Sequence, residues 1–174
     1  SGIEGIISYF NDSFGGWAFT MSGGSSYPAI GTSVNPEMHL SGYVTSHAAG
    51  SLSFTFTDTF EWDGSLTALT SSIGGVYGGT EISFQTSLGE EPLADFGPQT
   101  GTTAFAYSES TAITPKGSGQ YQLTMHGTIT AGAGQSGSFD ARIHTREPTT
   151  MLLFGTGLIC LAAFGRKKFK YKND

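Results

Sequence analysis

Three carboxylates crowd one short stretch of the chain, Asp58, Glu61 and Asp63, with Gly64 directly after them. Closely spaced oxygens suit a hard cation such as Ca²⁺, which takes roughly six to eight of them. The EF-hand spacing fails, because setting Gly64 on that loop's glycine puts Thr59 at the first ligand position and Thr70 where the bidentate glutamate belongs. The stretch is more simply a polar turn between strands. Adjacent Glu90 and Glu91 could be read as a general acid and base for glycoside hydrolysis, which needs two carboxyls about 5–10 Å apart across a cleft. Neighbours in a Gly- and Pro-rich segment are more simply solvated charges. His39, His47, His126 and His144 form no H-x-x-x-H pair, and no G-x-S-x-G elbow presents a serine nucleophile. Gly132–Gly137 satisfies G-x-G-x-x-G, but a dinucleotide site needs a helix after it, and a strand pattern follows here. The residue types therefore argue for no enzyme, metal or cofactor. Aromatic faces leave one binding chemistry open, stacking on sugar rings. Of Trp17, Trp62, Tyr9, Tyr27, Tyr43, Tyr77 and Tyr107, Trp62 is the preferred glycan contact, since it stands among polar turn residues.

The elements that would position such residues are strands. Gly makes up 26 of 174 residues, aromatics 13% and charged residues only 13%, a mixture that favours strands and tight turns over helices. Two-residue alternation, bounded by Gly, Pro, Asn or Ser, recurs near residues 3–10, 16–22, 37–46, 50–58, 65–72, 80–87, 102–113, 119–131 and 136–144. In 51–57, Leu52, Phe54 and Phe56 alternate with Ser53, Thr55 and Thr57. Tyr121, Leu123, Met125, Gly127 and Ile129 share one face, and Phe139, Ala141 and Ile143 another, with the Gly-rich link 131–135 suggesting a hairpin between them. Gly89–Gly101 reads as the longest loop. The pattern predicts an all-β fold, an antiparallel β-sandwich or jelly-roll-like domain over residues 1–145, followed by a single C-terminal apolar helix.

Charge divides the chain at the same point. Residues 1–145 hold 12 Asp/Glu against Lys116 and Arg142, a net −10, whereas residues 146–174 hold 6 Lys/Arg against 2 Asp/Glu, a net +4. A nucleic-acid partner is excluded for the domain, because its acidic surface repels a polyanion. The single cysteine, Cys160, allows no disulfide framework or zinc site within the chain. The chain opens at Ser1 without Met or an apolar leader, so residue 1 is read as a cut end.

The last segment has three parts: Arg146-Glu147-Pro148, then an uncharged run Met151–Gly165, then the basic cluster Arg166, Lys167, Lys168, Lys170 and Lys172. Its order resembles the PEP-CTERM tail of Gram-negative bacteria, with Arg146 in place of the motif's first proline. The resemblance implies a sorting motif at 146–148, a transmembrane helix at 151–165 and a basic end at 166–172. It also implies processing by an exosortase in the inner membrane. The protein is then exported, anchored in the inner membrane until processed, and finally at the cell surface or in extracellular matrix. Non-catalytic action there is the expectation, with an extracellular carbohydrate-binding module as the alternative and a carboxylate-dependent glycoside hydrolase as the second. Extracellular polysaccharide is the expected partner besides the exosortase. At 1.5 Å per residue the 15-residue run spans about 22 Å, short of the roughly 30 Å hydrocarbon core, which suits a thin or transient span.

Overall fold

The computed structural model describes residues 4–32, 35–64, 66–114 and 117–145. Ten strands account for most of them: β1 Ile6–Phe14, β2 Trp17–Ser25, β3 Glu37–Ser46, β4 Gly50–Trp62, β5 Ala68–Val76, β6 Glu81–Leu88, β7 Glu91–Thr100, β8 Ala104–Ala112, β9 Gly119–Ala131 and β10 Ser136–Thr145. They form two sheets, ordered β1-β2-β3-β10-β5-β8 and β4-β9-β6-β7, with antiparallel pairing throughout. The all-β antiparallel expectation holds, and no helix occurs among the described residues. The expected C-terminal helix at 151–165 lies outside them.

Alternation determines what each sheet buries. Met38, Leu40 and Val44 of β3 and Phe139, Ala141 and Ile143 of β10 point inward from one sheet. Ile82, Phe84 and Leu88 of β6 and Leu123, Met125 and Ile129 of β9 point inward from the other. All belong to one core, so the sheets pack face to face as a sandwich. Contacts across the gap are specific. The Phe54 ring of β4 stacks on Phe139 of β10 at 4.8 Å between centroids and 12° between planes. The Ser71 hydroxyl meets that of Thr86 at 2.7 Å, giving two buried polar groups a partner each.

Two expectations about connection are corrected. The segment expected as the longest loop is strand β7, entered by a tight turn at Gly89, whose φ of +59° favours glycine. Its pairing with β6 shifts register between Thr86–Ala94 and Ser87–Pro92, leaving Leu93 as an extra residue, so Leu93 and Ala94 are both buried. That bulge interrupts the alternation by which a strand is recognised. Pro92 and Pro98 fit because β7 ends its sheet, where a missing N–H need not break a ladder.

The expected hairpin of the last two strands is also replaced. β9 lies between β4 and β6, while β10 lies between β3 and β5 in the opposite sheet. The Gly132–Gln135 link therefore crosses from one sheet to the other. Gly134 takes φ +77° and its N–H donates to the Ser46 carbonyl at 2.7 Å, while Ser46 N–H donates to the Gln135 carbonyl at 2.8 Å. These bonds tie the arch to the end of β3.

On one side the sandwich is closed by aromatic rings. Phe96 of β7 lies over Tyr107 of β8 at 6.2 Å and over Phe84 of β6 at 6.5 Å, and Phe105 stacks on Tyr77 at 4.2 Å. The Tyr107 hydroxyl lies 3.1 Å from that of Tyr77 and donates to Gln99 Oε1 at 3.1 Å. The Thr111 hydroxyl donates to the Leu93 carbonyl across the same seam.

Candidate functional site

The strand period that buries one face of each sheet leaves the other for solvent. On the four-stranded sheet the outward positions are Ser51, Ser53, Thr55, Thr57, Thr59 and Glu61 of β4, Gln120, Gln122, Thr124, His126, Thr128 and Thr130 of β9, and Glu81, Ser83, Gln85 and Ser87 of β6. Glu61 and Glu81 stand at opposite ends of these rows, and none of the residues between them is Asp, Glu, Lys or Arg. Register places them opposite one another, and their side chains pair across the strands. Ser51 meets Thr130 at 2.8 Å, Ser53 meets Thr128 at 2.9 Å, and Thr55 meets His126 Nδ1 at 3.0 Å. A lattice of hydroxyls results, repeating at about 4.8 Å across strands and about 6.8 Å along them. Where β6, β7 and β9 meet, the face sinks into a depression of about 220 Å³ bounded by Gln85, Asp95, Thr124 and His126 and by apolar Pro92 and Ala94. Gln85 Nε2 donates to Asp95 Oδ2 at 3.1 Å.

The outer face of the six-stranded sheet is different in character. His39 Nε2 lies 2.9 Å from Asp140 Oδ2, and Arg142 pairs with Glu37. An open trough of about 360 Å³ runs over Ser72, Gly74, Ala106 and Ser108 beside Asp140. Exposed Tyr43 belongs to this face, and hydrogen bonds from Ser136 and then Thr45 hold its phenol below the ordinary value against the opposing effect of burial.

The residues singled out in the sequence fall in scattered places. Trp62 ends β4 as a core residue, 2% exposed, its ring edge-on to Tyr121 at 4.9 Å and its Nε1 without a hydrogen-bond partner. It presents no open ring face, because the strand continues through the positions expected to be a turn and its inward parity sends the indole into the core. Trp17 and Tyr77 are also buried; among the residues whose side chains are described the exposed aromatics are Tyr27, Tyr43 and Tyr107, and the Tyr9 side chain lies outside them. Asp58 and Glu61, three residues apart on β4, fall on opposite faces, and Asp58 Oδ1 accepts from the Thr59 N–H. No three metal-ligating side chains gather among the described residues. His126 and His144 are separated, one on each sheet. Arg146, Glu147, Pro148, Arg166, Lys167, Lys168, Lys170 and Lys172 lie outside the described residues. The hydroxyl lattice was missed as a site because its members were read as the solvated side of strands; their uncharged run in a strongly acidic domain was the available signal.

Residues 147–168 match the PEP-CTERM protein-sorting motif. The chain thus carries a PEP-CTERM sorting signal and is an exported, sorted protein. No curated protein sequence matches it. Among solved structures it is similar to the enzymatically active domain of bacteriophage CBA120 tailspike protein 4, at 11% identity and TM-score 0.39, over 78% of this chain and 20% of that one. The chain thus spans about a fifth of that structure's length. It is also similar to the C-terminal CBM6 of the laminarinase LamC from Zobellia galactanivorans, at 11% identity and TM-score 0.36, over 80% of this chain and 99% of that one. A third is Caldicellulosiruptor saccharolyticus CBM27-1 in complex with mannohexaose, at 10% identity and TM-score 0.38, over 82% and 91% of the two chains. Likenesses this distant carry no ligand across.

Proposed function

We propose that residues 1–145 form a non-catalytic cell-surface or extracellular-matrix domain, and that residues 146–174 are its sorting tail. The observation that carries this reading is position: β10 ends at Thr145, and the sorting motif begins at residue 147. The ten described strands thus end before the signal starts, which supports a tail that can be docked or removed without opening the core. The dispersal of Asp58, Glu61, His126 and His144 over different faces and sheets supports a domain that binds or builds rather than one that turns substrate over.

In this reading the Met151–Gly165 run spans the inner membrane with Arg166, Lys167, Lys168, Lys170 and Lys172 on the cytoplasmic side, since short flanks rich in Lys and Arg resist translocation. An exosortase then cuts near Glu147-Pro148. In a host with an exosortase, intact-mass measurement is expected to find an extracellular form lacking residues 149–174, and Arg146→Pro is expected to leave cleavage equal or improved. Finding residues 149–174 on every molecule overturns the processing, and cysteine labelling that places the C-terminus outside the cell overturns the topology.

A further inference from the structure

The outward face of the β4-β9-β6 strands has chemistry of its own, and it rests on the extracellular reading above only for where its ligand is met. We propose that this face binds a neutral polysaccharide chain, with one sugar ring seated in the depression between Gln85, Asp95, Thr124 and His126. Ser and Thr hydroxyls both donate and accept, as sugar hydroxyls do, so either partner can supply the proton at each contact. The Gln85 carboxamide and Asp95 carboxylate extend that set around the depression, while Pro92 and Ala94 give it an apolar wall for the C–H surface of a ring.

Charge selects among polymers. The domain carries a net −10, and Arg142, the only Lys or Arg among its described residues, lies on the opposite sheet paired with Glu37. An anionic polysaccharide would meet repulsion from Glu61, Glu81 and Asp95 with no Lys or Arg among the described residues of that face to offset it, whereas a neutral one meets none. Shape selects for a chain. At about 220 Å³ the depression is smaller than the roughly 300–1,000 Å³ of sites that enclose a small molecule, and the lattice continues from it along β9 and β4. The lattice is also held in place before binding, because Ser51, Ser53 and Thr55 are paired with Thr130, Thr128 and His126. Little side-chain entropy remains to be lost. Each sugar exchanges water hydrogen bonds for protein ones at small net gain, so affinity accumulates along the chain.

The test is native affinity electrophoresis of the full chain, dispersed in a polyoxyethylene detergent, through gels containing soluble β-glucan, galactomannan, xyloglucan or polygalacturonate. Retardation is expected in at least one neutral polymer and none in polygalacturonate, with monosaccharide failing to compete and longer oligosaccharides competing. The double variant Gln85→Ala/Thr124→Ala is expected to bind at least fivefold more weakly, His126→Ala to weaken binding as well, and Ser72→Ala/Ser108→Ala on the other sheet to leave it unchanged. Each variant is checked by circular dichroism and Tm, and His126→Ala stands if the double variant misfolds. Preference for polygalacturonate, no retardation by any neutral polymer, or full retardation of both folded variants overturns the proposal. So does sedimentation showing a dimer that the Gln85→Ala/Thr124→Ala change dissociates, which would make a second copy the occupant. An exported chain that is not retarded overturns this inference alone; a retarded chain that stays in the cytoplasm overturns the export reading alone.

Discussion

Gly127 and Phe54 face each other in the β4–β9 ladder, and the phenyl ring occupies the space a side chain at 127 would fill. A Cβ there would fall inside the ring's van der Waals envelope. Because the same ring stacks on Phe139 of the other sheet, it cannot swing aside without disturbing the packing between sheets. Gly127→Ala is expected to lower stability by about 1–3 kcal/mol, read as a fall in the urea midpoint at unchanged m. The loss should be smaller in a Phe54→Leu background, where the ring is gone, so additive effects would show that the two residues do not meet. Tyr77 gives a second prediction at this scale. Burial, the hydrogen bond with Tyr107 and repulsion from that phenol if it ionises push the Tyr77 pKa up to about 12 from an ordinary 10.0. Its folded-state pKa is raised, so the stability it contributes is fully present below pH 10 and is lost as pH rises from 10 towards 12. Tyr77→Phe is expected to flatten the fall in Tm across that window, and a parallel fall in both proteins would remove Tyr77 as its cause.

At the scale of elements, local pattern and long-range pairing were unequally legible. The inward sets on β9 and β10 could be read from two-residue alternation, because a half-buried strand has to separate apolar from polar residues. Partnership could not. Leu123, Met125 and Ile129 would look the same facing β10 across a hairpin as they do between β4 and β6, since alternation specifies a face and not a neighbour. β7 was hidden for a different reason: its bulge at Leu93 puts two consecutive residues in the core, and its prolines mimic a loop. Trp62 was misplaced because Asp58, Glu61 and Asp63 make the end of β4 look like a turn, although the strand runs on to Trp62 with its inward parity intact. The hydroxyl lattice was legible strand by strand in Ser51–Thr59 and Thr124–Thr130, but only the β4–β9 register brings the two rows together.

At the scale of the whole molecule, a sheet of six strands and one of four enclose one core whose described residues precede the sorting motif. A chain ending at Thr145 is therefore expected to be soluble, rich in β-structure and cooperative in unfolding. Helix-dominated circular dichroism, or aggregation on removal of residues 146–174, would show that the tail completes the core. The crossing of the β9–β10 arch has a mechanical consequence. The strand from which the tail departs is interior to its sheet, hydrogen-bonded to β3 along one side and β5 along the other. Under the anchoring proposed above, tension from the C-terminus would pull along β10 and load two ladders in shear at once, where an edge strand could be peeled away one bond at a time. A domain tethered in this way would share drag from its attachment point between two ladders.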